Sequence, residues 1–227
     1  MALIHRTTMR PTKLELLADW LPTRAWYAAG PGAPRPVKAG GFRLDDPEGE
    51  VGVEFMVVTD GEGPDAGAYL VPMTYRGKPL DGAGHALIGT SEHGVLGTRW
   101  IYDGAHDPVL VRELYALLVG RAVPQQQSVS DAADPTVAAF LDTAAAATGN
   151  AEPVEAVDGA AHTDIRVRVG DEAEPLTLRL RRVLRPAAED GADAALGGVT
   201  AEWTPAGPDA GPASAPVRGA YVTVHRP

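Results

Sequence analysis

The chain has 227 residues, 44% of them apolar, and a formal net charge of −10 at pH 7 from 20 Lys+Arg against 30 Asp+Glu. That length holds one large domain or two small ones, and the acidic balance argues against general nucleic-acid or anionic-membrane binding. Cysteine is absent, which excludes disulfides, thiol nucleophiles and cysteine-ligated zinc, and fits a reducing cytoplasm.

Gly (26) and Pro (20) are frequent enough to predict short elements joined by many turns. The N-terminus does not read as a signal peptide, and no apolar run approaches the ~18 residues of a membrane span. Three Lys against 17 Arg, with abundant Ala, reads as GC-rich coding.

Ala2–Thr8 is predicted as a first strand. Thr12-Lys-Leu-Glu15 fits a capping box opening a helix, with Leu14, Leu16, Leu17, Trp20 and Leu21 as its apolar face and Pro22 as its stop. After Trp26 and Tyr27 comes a loop over 30–36, then a strand over Lys38–Leu44 interrupted at Gly40-Gly41. The centre is a hairpin: Val51, Val53, Phe55 and Val57 alternate on one face, 60–67 is a turn cluster, and Tyr69, Val71, Met73 and Tyr75 alternate again. The material before Asn150 is expected to cover that hairpin. Residues 76–94 read as loop-rich around a short apolar piece, Ala86–Ile88, and Val95–Tyr102 as a strand.

Asp107-Pro108 is a strong helix start, with Leu110, Val111, Leu114, Leu117 and Leu118 as the buried stripe and Gly120 as the stop. Gln125–Asp131 reads as a flexible polar linker. Asp134-Pro135 opens a third predicted helix through Val137, Phe140, Leu141 and Ala144, closed at Gly149-Asn150. Five strands then follow: Glu152–Val157, Thr163–Val169, Leu176–Leu184, Gly198–Thr204 and Gly219–His225, with mobile loops expected at 186–197 and 205–218. The expected fold class is α+β: an antiparallel sheet packed on helices over 1–124, a linker and helix over 125–150, and a second small antiparallel sheet over 151–227.

Motifs for chemistry are sparse. His85 and His93 flank a Gly-rich loop, and a folded loop would bring them towards His106, with Asp103 or Asp107 as further metal ligands; surface or turn histidines are the commoner outcome. The cluster at 61–67 lacks phosphate-loop spacing, Gly77-Lys78-Pro79 lacks the rest of a Walker motif, and Ser91-Glu92-His93 is adjacency in sequence, not a triad. Sharper is the alternation in Ile165–Val169 and Leu176–Arg181. If the two strands pair, Arg166, Arg168, Arg179 and Arg181 share one face. Glu152, Glu155 or Glu202 would neutralise it as a solvated surface; the functional reading is a docking face for an acidic partner or phosphorylated ligand. Trp20, Trp26 and Trp100 are candidates for sugar stacking, against the commoner role of core packing.

Leu16–Tyr27, Tyr69-Leu-Val-Pro-Met-Thr-Tyr75, Ala86–Gly89, and Tyr102–Pro108 before a Leu-rich helix occur in an order that resembles the N-terminal cap of actinobacterial maltokinases and related aminosugar kinases. The resemblance covers roughly 1–120 and implies a non-catalytic, cystatin-like subdomain: a curved antiparallel sheet on helices. Ala28–Gly32 departs from that family's Gly-Gly-Lys-Gly segment. Its Gln-Ser-Asn-Thr nucleotide loop, strand lysine, catalytic Asp/Asn loop and metal-binding acidic motif have no counterpart in this sequence. Leu178–Pro186 is similar to the strand bearing the ATP lysine but carries arginine, which does not substitute for it. The resemblance therefore implies a cytoplasmic cap-domain protein without catalytic residues, metal or cofactor, acting as an accessory or regulatory partner of a sugar kinase or α-glucan enzyme. A degenerate kinase that keeps nucleotide binding, and a carbohydrate-binding module, are the alternatives.

Overall fold

The alternation from Val51 to Tyr75 forms the hairpin of β3 (Gly52–Asp60) and β4 (Gly67–Arg76), paired from Gly52↔Tyr75 to Asp60↔Gly67. A computed structural model describes residues 9–28, 30, 32–61, 66–128, 132–170, 174–187, 195–205 and 215–227. Around the hairpin lie β1 (Met9–Arg10), α1 (Lys13–Trp20), β2 (Val37–Leu44), β5 (Leu87–His93), β6 (Gly97–Asp103), α2 (Pro108–Leu118), β7 (Ala138–Leu141), β8 (Ala151–Asp158), β9 (His162–Val169), β10 (Leu176–Arg181), β11 (Gly197–Trp203) and β12 (Val217–His225). The expected strand at 2–8 and most of the two expected mobile loops lie outside the described residues.

These strands form one antiparallel sheet, ordered β1-β5-β6-β4-β3-β2-β11-β12-β10-β9-β8, with β7 beside β11. The second sheet expected beyond 150 is therefore not separate. β11 joins β2 at Trp203↔Gly40, where bare glycine is needed because a Cβ on Gly40 would lie 2.9 Å from the Glu202 carbonyl. The chain leaving β10 closes back on β4: Leu70 N–H donates to Arg182 O and Leu184 N–H to Ala68 O.

This closure explains the core. Val53, Phe55 and Val57 on one face of β3 pack with the α2 stripe and with Ile165, Leu178, Tyr221 and Val222 from the second half. Phe42 stacks on Phe55 at 4.6 Å between ring centroids. Met56 and Val58, on the opposite face, join Tyr69, Val71 and Met73 under α1, Trp20 and Trp26. The hairpin is thus buried on both faces, and residues after 150 supply much of one cover.

The first two of the three expected helix starts form. Thr12 and Glu15 make the reciprocal capping box, and Asp107 accepts from Val109 N–H with Pro108 at the first helical position. Gly120 takes φ +73° after α2. Residues 87–93, expected as loop, are β5: Gly89 makes room for Leu16 of α1, whose Cδ2 would lie 2.6 Å from an added Cβ, and Ser91 donates to Pro11 O. The strand expected from Val95 begins at Gly97, after a turn that exposes Val95 and Leu96.

The third helix does not form. Asp134 accepts from Thr136 N–H and its hydroxyl, so its capping chemistry closes a turn, and 138–141 become β7. β7 lies so close to β11 that a Cβ on Gly197 would sit 2.6 Å from Phe140 O; this pairing overrides helix propensity. The predicted flexible linker is partly strapped down. Gln125 exchanges backbone bonds with Arg43, and the Gln127 side chain donates to Glu54 at 3.0 Å.

Candidate functional site

The pairing of β9 with β10 does place Arg166, Arg168, Arg179 and Arg181 on one face, opposite the buried Ile165, Val167, Leu178 and Leu180. Register also supplies acids. β8 sets Glu152 across from Arg168 and Glu155 across from Arg166, the latter pair 3.9 Å apart. Arg179 is held in a two-pronged pair by Asp164 on the same face, at 2.7 and 2.8 Å. That contact, ahead of opposing burial, keeps the Asp164 carboxyl below its ordinary range. Arg181 lies across from His162. Glu202, two strands further along the sheet on β11, pairs instead with Arg218 at 3.0 Å. The face is thus a ladder of cross-strand ion pairs, with Asp164 a partner that sequence reasoning overlooked.

A second charged cluster lies at the seam between the halves. Arg182, completely buried, donates to Asp103 Oδ2 at 2.6 Å and Thr163 Oγ1 at 2.7 Å, and its guanidinium lies 5.1 Å from the Trp26 ring centroid. Asp103, 1% exposed, also accepts from Ala105 N–H and starts a one-turn 3-10 helix at Gly104–His106. Arg182 was also missed, although the signal was present: the alternation Leu176, Leu178, Leu180 continues inward to Arg182 and Leu184. The central guanidinium of the arginine-rich stretch 178–186 is therefore held by an internal carboxylate.

Of the histidines, the fold brings His85 and His106 together, with Nε2 and Nδ1 3.2 Å apart. Burial holds His106 below the ordinary histidine range, with Asp103 opposing and His85 and Arg182 adding to the shift. His93 lies at the far end of β5, where its Nδ1 accepts from Leu96 N–H. Asp107 is committed to the α2 cap, Thr74 and a two-pronged pair with Arg76. Among the described residues, no three His, Asp or Glu side chains are grouped to hold a metal.

Trp20 and Trp26 are 6% and 2% exposed and pack edge-on at 5.7 Å; Arg24 covers Trp20, and Tyr69 and Arg182 flank Trp26. Trp100 packs against the small cluster of Ala83, Ala86 and Tyr102. The rings of Trp20 and Trp26 are core and offer no open face to a sugar. A depression of about 340 Å³ beside Ala144–Ala147 is rimmed by the exposed Arg226–Glu174 pair. Its alanine lining carries no convergent polar side chains.

With this geometry in view, comparison with known families gives a partial match: residues 20–107, less than half of the chain, match the family model for the maltokinase N-terminal cap domain. The matched stretch runs from Trp20 at the end of α1 to Asp107 at the cap of α2 and includes the central hairpin. A comparison with curated proteins finds no match. Among the described residues, no helix is long and apolar enough to cross a membrane.

Proposed function

We propose that the chain is a non-catalytic cap-type protein that serves as an accessory or regulatory binding partner for a sugar kinase or α-glucan enzyme. The match of 20–107 to the maltokinase cap carries this reading. Its support in the fold is that cap-like strands continue into β8–β12, a strand layer in which the charged side chains of β9 and β10 meet acids of the same layer. Of the four arginines on β9 and β10, Arg166 and Arg168 are the exposed ones, and an acidic partner surface would compete with Glu152 and Glu155 for them.

The experiment is affinity capture of sugar-phosphorylating and glucan-processing enzymes by the full chain, with Arg166→Glu/Arg168→Glu as comparison. Specific recovery that weakens in the double variant supports the role and the face. Equal recovery by both discards the arginine face, and recovery of no such enzyme discards the accessory role. Calorimetry with Mg-ATP tests the degenerate-kinase alternative: saturable heat with the full chain would favour it.

A further inference from the structure

We propose that His85 and His106 form a two-imidazole site for a borderline divalent cation of the zinc class, at the seam between the two halves of the sheet. Their facing nitrogens lie 3.2 Å apart, with the rings at 88° to one another. A tetrahedral ion with nitrogen ligands at about 2.0–2.1 Å spans two of them about 3.3–3.4 Å apart. The existing pair therefore has almost the bite of a chelate. Turning the hydrogen bond into coordination needs each ring to tilt by roughly 35°, so that both lone pairs meet at one point.

The two ends of the pair suit this exchange differently. His85 is exposed and gives an ion access from solvent. His106 is half-buried and held by its backbone, since the turn that carries it is closed by Asp103 on Ala105 N–H and by Asp107 N–H on Gly104 O. Coordination requires neutral imidazole, and the burial of His106 favours that form. Asp103 and Asp158 contribute negative charge near His106, opposed by Arg182, which is itself paired with Asp103. Two imidazoles select zinc-like ions over magnesium or calcium, which prefer oxygen. As no third ligand side chain is grouped with the pair among the described residues, water completes the shell and the ion stays open.

Zinc titration of the full chain by calorimetry at neutral pH tests this, with His85→Gln, His106→Gln and His93→Gln as variants and circular dichroism to verify folding. His85 is exposed, so its variant retains the fold even if the His106 variant does not. The expected result is one saturable site in the parent and in the His93 variant, weakened about tenfold or more in the His85 variant. Absence of saturable binding at submillimolar zinc would leave only a hydrogen-bonded histidine pair and overturn the proposal. Unchanged affinity in the His85 variant would overturn it equally.

Discussion

At the scale of single residues, the exposed ladder and the buried seam separate cleanly. Asp103→Ala removes the carboxylate from a fully buried guanidinium and should destabilise the protein by about 3–5 kcal/mol in denaturant unfolding. Glu155→Ala, in a solvent-exposed pair at 3.9 Å, should change stability by less than about 1 kcal/mol. Glu54 gives a pH signature. Burial alone raises its carboxyl, but the Lys13 ion pair, with the Tyr75 hydroxyl and Lys38, outweighs burial and holds it below the ordinary 4.5. The folded chain thus takes up that proton less readily than the unfolded one. The resulting stability is present above the unfolded carboxylate value and lost as pH falls through the folded value. Urea midpoints measured from neutral to acid pH should show this loss, and Glu54→Gln should flatten it. The arginine face was legible because side-chain period alone sets a strand's faces. Arg182 was obscured because charged residues are expected outside, although its position in the same period is inward.

At the scale of elements, local chemistry specified starts better than lengths. Asp107→Ala removes the α2 cap, worth about 1 kcal/mol, and also strands Arg76 and Thr74. Its measured cost should therefore exceed that of Thr12→Ala, whose capping box is exposed. The caps of both helices and the hairpin could be read because each is fixed by residues within a few positions. β5 and β7 could not, because each exists through a distant neighbour. Gly89 admits Leu16, and Gly197 admits the β7 backbone. Gly41 is another such position: at φ +118°, with the Phe55 carbonyl 1.9 Å from where a Cβ would lie, Gly41→Ala should cost about 2 kcal/mol or more by thermal or denaturant unfolding.

At the scale of the whole molecule, the cap-like region and the strands beyond 150 share a sheet, a core and a buried ion pair. Sequence reading divided them because the elements that meet are far apart in the chain: β2 with β11 at Trp203↔Gly40, and β4 with the stretch after β10 through Leu70–Arg182 and Leu184–Ala68; no local period announces such junctions. Many of the side chains that cover Val53, Phe55 and Val57 come from the second half, so a chain ending at 124 would expose that face to water. A shared sheet, core and ion pair imply that the two halves fold as one unit. Denaturant unfolding of the full chain, followed together by far-ultraviolet circular dichroism and by tryptophan fluorescence, which includes Trp26 at the seam, tests it most directly. One transition with coincident midpoints is expected, shifted in both signals by Asp103→Ala. Two separated transitions, with only one moved by that substitution, would contradict it.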